Sequence, residues 1–278
     1  QVGGQLTLGP SSRIEITPDS QPGADGSPAT IDGNASFTAS RVELSGATVL
    51  FDRGATIRAP GAVVNVRAEE VPNYAPAVSA SATSTAARIA MAEDAVIDVS
   101  GTTDTTVSVA RNFVTTELLG GSDLADSPLQ RTGPLYRSHV TLDLRREAPI
   151  LSEASMAAYR NSVRSSATER MSGGGSVSLV SQGAVVTHEK SVINVSGGAV
   201  HYTDAAVKPT LLIGSDGARY SVNDAPKDIS YTQIEGASTG AQDRWGVVTQ
   251  WLPQRQRVET GYVQGKAAGS VNVLGRDV

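Results

Sequence analysis

The aromatic residues near the C-terminal end are the side chains best suited to contact a ligand. Five of the chain's twelve Tyr, Trp and Phe residues lie between positions 220 and 262. Their faces would stack on sugar rings, while polar neighbours hydrogen-bond to the hydroxyls. The candidate ligand-binding residues are Tyr220, Tyr231, Asp243, Arg244, Trp245, Gln250, Trp251 and Tyr262. A mini-core that ties this segment to the rest of the fold explains the same aromatic residues, and we favour that interpretation.

Residues suited to catalysis or metal binding are scattered. His139, His188 and His201 lie in three different segments, and no pair has the spacing of a metal site on a helix face. The sequence contains no Gly-x-Ser-x-Gly elbow and no calcium-binding loop. We therefore expect no enzymatic activity, no cofactor and no metal.

Paired carboxylates would be the sign of a polysaccharide lyase or hydrolase, the strongest enzymatic alternative. Asp98 has the amide Asn194 at the equivalent place in a repeated phrase, so a carboxylate pair is not expected there. Two further candidate pairs are better explained as turn and strand-edge charges: Asp123 with Asp126, and Asp143 with Glu147.

The repeated phrase indicates which elements position these residues. Val96-Ile97-Asp98-Val99-Ser100-Gly101 returns as Val192-Ile193-Asn194-Val195-Ser196-Gly197, and each copy alternates apolar and polar residues as a β-strand does. Related phrases of the form Gly-x-Val-x-Leu or Gly-x-Val-x-Val occur at 175–179 and 269–273. Short units that recur without strict identity predict stacked coils, each too small to bury its own apolar face.

Composition limits the functional classes. A net charge of −5 argues against nucleic-acid binding, and no apolar run is long enough for a transmembrane helix. The absence of cysteine suits a protein that is exported unfolded. Because the chain begins at Gln1 without a signal sequence, we expect an internal or processed piece of a longer protein.

The expected organisation is an all-β fold in which two insertions interrupt one repeat. Met156, Tyr159, Val163, Ala167 and Met171 recur at helical spacing, which predicts a helix over about 152–171 with Ser152 as its N-cap. Asp216-Gly217 predicts a hairpin. The predicted divisions are coils over 1–103 with a loop near 69–92, an insertion over 104–172, coils over 173–200, a second, aromatic-rich insertion over 201–266, and a coil over 267–278.

The order of several phrases resembles the filamentous haemagglutinin family of exoproteins, which use two-partner secretion. The resemblance begins near residue 95. The phrases that carry it are Ile97-Asp98-Val99-Ser100-Gly101, Glu117-Leu118, Asp126-Ser127-Pro128-Leu129-Gln130-Arg131, Gly174-Gly175-Ser176-Val177-Ser178-Leu179, Ile193-Asn194-Val195-Ser196-Gly197-Gly198, Arg244-Trp245-Gly246-Val247 and Gly261-Tyr262-Val263-Gln264-Gly265-Lys266.

The resemblance implies a right-handed parallel β-helix with extra-helical insertions, secreted or held at the bacterial cell surface. It also implies a longer parent protein, an outer-membrane transporter during export, and a role in cell adhesion and virulence as a monomeric filament segment. The expected partners are host-cell or matrix glycans or extracellular polysaccharide. A glycan-binding module, and a polysaccharide lyase or hydrolase on a β-helix, remain the alternatives.

Overall fold

The computed structural model describes residues 4–18, 30–31, 33–70, 86–235 and 255–278. Strands dominate these ranges and helices are few, which confirms the expected all-β class.

Three four-stranded parallel sheets contain the repeated phrases. Sheet 1 consists of β1 (Gln5–Leu8), β5 (Thr48–Phe51), β8 (Arg88–Met91) and β15 (Ala184–Thr187). Sheet 2 consists of β2 (Arg13–Glu15), β6 (Thr56–Arg58), β9 (Val96–Asp98) and β16 (Val192–Asn194). Sheet 3 consists of β4 (Arg41–Gly46), β7 (Val63–Ala68), β14 (Ser176–Ser181) and β24 (Ser270–Leu274).

The chain visits these sheets in a constant order. It passes from sheet 1 to sheet 2 to sheet 3 four times, and we call each such passage a circuit. The two copies of the repeated phrase lie in adjacent strands, with Ile97 beside Ile193 and Asp98 beside Asn194. The two copies therefore pair side by side as parallel strands of one sheet. Because successive side chains of a strand point to opposite faces, Ile97 and Ile193 both face an apolar cluster to which all three sheets contribute.

Tight turns join sheet 1 to sheet 2 in every circuit. Their third residues are Ser11, Gly54, Asp94 and Lys190, each with a positive φ between 57° and 70°. Neighbouring turns are also joined by charges, since Arg53 and Lys190 both pair with Glu93. Four copies of one turn geometry hold the two sheets at the same relative position in each circuit.

The long excursions leave from the corner between sheets 2 and 3. They follow β2, β9 and β16, whereas β6 and β7 are joined by a short turn in which Gly61 has a φ of 64°. The first excursion contains β3 (Thr30–Ile31). The second and third correspond to the two predicted insertions, and both start from equivalent positions of successive circuits.

The first insertion combines strands with two short helices. Its elements are β10 (Thr105–Ser108), a 3₁₀ turn (Val109–Asn112), β11 (Phe113–Glu117), a 3₁₀ turn (Pro128–Gln130), β12 (His139–Asp143), α1 (Glu153–Ser162), β13 (Ser165–Ser166) and α2 (Ala167–Arg170). The strands β11 and β12 pair antiparallel.

The prediction of one continuous helix over about 152–171 is wrong. Ser152 caps α1 as expected, accepting a hydrogen bond from the Ser155 N–H at 3.2 Å. Val163, however, has extended backbone angles, and β13 pairs antiparallel with β3. A strand partner from the first excursion thus interrupts the helical periodicity, and Ser166 caps the separate helix α2.

The second insertion is built from strands. Its elements are β17 (Ala199–Thr203), β18 (Ala205–Val207), β19 (Leu211–Gly214), β20 (Arg219–Ser221), β21 (Tyr231–Glu235), β22 (Arg257–Glu259) and β23 (Val263–Gly265). The pairing of β19 with β20 confirms the hairpin predicted at Asp216-Gly217.

The two insertions pack on each other. A second apolar cluster contains Leu142 and Met156 from the first insertion and Leu212 and Tyr231 from the second. Asn223 adds a reciprocal pair of hydrogen bonds, accepting from the Asp143 N–H at 2.9 Å and donating to the Asp143 carbonyl at 2.8 Å. The strands β10 and β17 also pair, so the insertions form one body beside the three sheets.

Candidate functional site

Two of the candidate aromatic residues, Tyr220 and Tyr231, lie on adjacent parts of the second insertion. Their rings meet edge to face, with centroids 6.1 Å apart and planes at 82°. Tyr231 is 2% exposed, and its hydroxyl donates to the Pro226 carbonyl at 2.6 Å. This geometry does not make a flat platform for a sugar ring, because Tyr231 contributes to the second apolar cluster.

Tyr262, the third candidate within the described ranges, has a different neighbour. Its ring stacks on that of Tyr202 at a centroid distance of 4.4 Å and an angle of 13°. Asn112 of the first insertion donates to the Tyr262 hydroxyl at 3.1 Å. The remaining candidates lie outside the described residues: Asp243, Arg244, Trp245, Gln250 and Trp251.

Arg111 anchors one side of the stacked tyrosine pair. It donates two hydrogen bonds to the Glu169 carboxylate, at 2.5 and 2.6 Å, and one to the Tyr202 hydroxyl at 3.1 Å. Burial disfavours its charge, but the Glu169 carboxylate outweighs that effect and holds the pKa of Arg111 above its ordinary value. The same burial raises the pKa of Tyr202.

Arg145 anchors the other side. It hydrogen-bonds to the Asp143 carboxylate at 2.7 and 2.9 Å and to Glu259 at 2.5 Å. Its guanidinium lies 5.7 Å from the ring centroid of Tyr262 and 5.4 Å from that of Phe113. The hydrogen bond to Asp143 raises the pKa of Arg145 despite partial burial.

These paired groups, Arg111, Arg145, Tyr202 and Tyr262 with their acidic partners, form what we call the insertion joint. Both guanidiniums already have carboxylate partners, and both tyrosine hydroxyls accept hydrogen bonds. The Nε of Arg111 is buried without a hydrogen-bond partner, but the other bonds of these groups fix the position of one segment against another. Arg111, Arg145 and Tyr202 were not among the candidate residues, since no local pattern connects residues so far apart in the chain.

In the other two candidate carboxylate pairs, Asp123, Asp143 and Glu147 have structural partners. Asp123 is buried and accepts hydrogen bonds from the Leu119 N–H at 2.8 Å and the Tyr159 hydroxyl at 2.7 Å. Burial raises the pKa of Tyr159, with the Asp123 carboxylate adding to it. Glu147 pairs with Arg160 at the surface. His139 lies in β12, His188 in a turn and His201 in β17.

Asp98 and Asn194 hold equivalent turns. The Asp98 Oδ1 accepts from the Ser100 N–H at 3.0 Å, and the Asn194 Oδ1 accepts from the Ser196 N–H at 3.1 Å. In sheet 2, Asp98 of β9 lies between Asn194 of β16 and Arg58 of β6. Arg58 in turn lies beside Glu15 of β2. This column of charges was missed, although aligning Ile14, Ile57 and Ile97 by their alternating pattern would have placed it.

Among the described residues, no group of three or more His, Cys, Asp or Glu side chains is arranged to hold a metal ion. No helix in the same ranges is long and apolar enough to cross a membrane. Comparison with known proteins shows that no family model, no curated protein and no solved structure matches this chain.

Proposed function

We propose that this chain is a scaffold and adhesive segment of a large secreted bacterial surface exoprotein of the filamentous haemagglutinin type. The three sheets would form a right-handed parallel β-helix, and the insertions would contact host cells, matrix or extracellular polysaccharide. Export would use an outer-membrane transporter. The observation that carries the proposal is that both insertions leave one corner of the sheets and share one apolar cluster.

A stack of circuits is suited to a stiff scaffold. Each circuit adds a parallel strand to each of the three sheets, at a spacing of about 4.8 Å. Insertions at one corner then project to one side. Because they are joined by the second apolar cluster and by the insertion joint, they would meet a partner as one rigid surface.

The apolar residues of β24 support a place within a longer stack. Val271 and Val273 are 44% and 38% exposed. Their ladder partners in β14, Val177 and Leu179, are 1% and 0% exposed. A further circuit stacked on β24 would bury this strand in the same way, and burial of apolar surface stabilises such an arrangement.

The first insertion carries exposed side chains suited to adhesion. Leu119, Leu129 and Tyr136 are all exposed apolar residues, and the Arg137 guanidinium lies 5.8 Å from the ring centroid of Tyr136. Tyrosine and arginine side chains contribute strongly to protein interfaces when a partner buries them.

Adhesion of coated beads tests the proposal. Beads carrying the full chain should be retained on cultured host cells or matrix films, and Tyr136→Glu should reduce that retention severalfold. Val192→Glu is the matched control, because Val192 and Tyr136 are both 46% exposed but Val192 lies on sheet 2. Wild-type beads that are not retained on any surface, or equal loss in both variants, would overturn the adhesive role.

A further inference from the structure

A groove lies at the corner of sheets 2 and 3, where the excursions leave. Its volume is about 520 Å³, within the range of roughly 300–1,000 Å³ typical of small-molecule sites. The outward side chains of sheet 2 form its floor, and the first residues of the first insertion form one wall. Pro18 and Pro60 add apolar ring faces to the lining.

The floor carries charges of alternating sign. Glu15, Arg58 and Asp98 occupy one ladder position in three successive circuits, so their backbones are spaced by about 4.8 Å. Within the described ranges the Arg58 guanidinium has no hydrogen bond or ion pair, although a carboxylate residue lies on each side of it. An exposed guanidinium directed into a groove retains its full set of donors for a ligand.

The wall is held in place by the fold. The Thr102 hydroxyl donates to the Thr168 carbonyl of α2 at 2.7 Å, and the Thr102 N–H donates to the Met171 carbonyl at 3.1 Å. In the floor, Asp98 is restrained by its bond from the Ser100 N–H. The wall and Asp98 therefore need little ordering when a ligand binds.

We propose that this groove, which we call the corner groove, binds a neutral oligosaccharide along the stacking direction of the circuits. Hydroxyl groups donate to carboxylates and accept from guanidinium groups, so a polyhydroxylated chain satisfies both signs of charge. The hydroxyls of Thr17, Thr102 and Thr103 extend the polar lining. The proline rings offer apolar contact to the C–H faces of sugars.

Charge selects against acidic ligands. Among the described residues that line the groove, Glu15, Asp98 and Asp104 stand against one cation, Arg58, so their formal charges sum to −2. Repulsion between like charges therefore disfavours a polymer of uronic acids. A basic peptide is attracted by the three carboxylates and repelled by Arg58 alone, so it is the competing ligand class that the experiment must separate from a neutral oligosaccharide. The carboxylates are spread along the groove and do not converge as metal ligands do in the described ranges.

The experiment is a calorimetric titration of the full chain with defined probes. The neutral probes are maltohexaose, cellohexaose and mannohexaose, and the charged probes are hexagalacturonate and hexalysine. At least one neutral probe should bind more tightly than both charged ones. Arg58→Gln should weaken that binding about tenfold or more, because a charged donor is lost. Arg88→Gln is the matched control, since Arg88 is also exposed but lies in sheet 1.

A second variant, Asp98→Asn, tests the groove independently in case Arg58→Gln does not fold. Asp98→Asn should keep the urea midpoint unchanged, because Asn194 supports the same turn in the next circuit, and should weaken the neutral probe severalfold. Failure of every neutral probe to bind, tighter binding of either charged probe, or binding unaffected by both variants would overturn the site. These results leave the adhesion test separate, since Tyr136 lies in another part of the first insertion and is not among the residues lining the groove.

Discussion

The turns between sheets 1 and 2 place non-glycine residues in a conformation that favours glycine. Ser11, Asp94 and Lys190 have φ values of 57°, 61° and 59° at the position where Gly54 has 70°. An L-residue with a Cβ in the left-handed region costs roughly 1–2 kcal/mol, and aspartate tolerates it better than lysine does. Lys190 is therefore more strained than Asp94 at the equivalent position.

Lys190→Gly is expected to raise the free energy of unfolding by about 1 kcal/mol, because the left-handed strain is removed. Its ion pair with Glu93 is exposed and contributes little. Gly54→Ala should lower stability by a similar amount for the opposite reason. Urea unfolding measures both, with Lys190→Ala as the control that removes only the ion pair. A Lys190→Gly variant no more stable than Lys190→Ala would contradict the strain argument.

Asp216 and Tyr220 form a titratable pair on the hairpin of the second insertion. The Tyr220 hydroxyl donates to the Asp216 carboxylate at 2.6 Å, and this bond, with one from the Ala218 N–H, lowers the pKa of Asp216 below its ordinary 3.8. Because the folded pKa is lowered, the pair stabilises the fold above the unfolded pKa, and that contribution is lost as the pH falls through the folded pKa.

Tyr220→Phe is expected to raise the pKa of Asp216 back toward its ordinary value. Carboxyl titration by NMR measures the change directly, and Tyr136→Phe provides a tyrosine control in the other insertion. The acid-induced loss of stability should also diminish in Tyr220→Phe. An Asp216 pKa that does not move would show that the Ala218 N–H bond alone lowers it.

At the scale of elements, each strand depends on its neighbours in the circuits above and below. Ile57 and Ile97 are fully buried at one ladder position, whereas Ile14 and Ile193, in the outer strands of sheet 2, are only partly buried. The same residue type in the same strand geometry is thus buried to different extents. Depth within the stack, and not local sequence, decides how much each isoleucine contributes.

Ile97→Ala should lower the free energy of unfolding by about 2–5 kcal/mol, because a buried side chain is lost from a site flanked on both sides. Ile193→Ala should cost clearly less, since one side of its site is already open. Urea unfolding of both variants tests this difference, with Val96→Ala on the outward face as a control. Equal losses for the two isoleucines would mean that the stack is not the source of their stability.

At the scale of the whole molecule, the two insertions behave as one body. Leu142 and Leu212 meet in the second apolar cluster, and Thr141 and Thr210 exchange hydrogen bonds at 2.8 and 3.3 Å. The apolar cluster of the three sheets is separate and has different members. The described residues therefore form two apolar clusters, one between the three sheets and one shared by the insertions.

Leu142→Ala is expected to reduce amide hydrogen-exchange protection in both insertions together, over 113–143 and 211–235, because their shared cluster loses a buried side chain. The strands of sheets 1, 2 and 3 should keep most of their protection. Val66→Ala, in the other cluster, should show the reverse pattern. Retained protection over 211–235 in Leu142→Ala would indicate that the second insertion folds on its own.

Local patterns predicted many elements because their causes are local. Alternating apolar residues predicted the strands, Asp216-Gly217 predicted the hairpin, and Ser152 predicted the start of α1. The break between α1 and α2 was missed because β3, which pairs with β13, lies far earlier in the chain. Of the predicted aromatic site, Tyr231 is buried and Tyr262 stacks on Tyr202, contacts that no spacing along the chain reveals.

The sequence by itself determined the all-β class, the recurrence of one strand phrase and its register, since backbone alternation and turn chemistry act over a few residues. The register in turn places Glu15, Arg58 and Asp98 in one column. Only the tertiary structure decided that this column faces a groove, that the insertions share a core, and that Arg111 and Arg145 hold the stacked tyrosines. Those features depend on packing between segments distant in sequence, which local propensity does not encode.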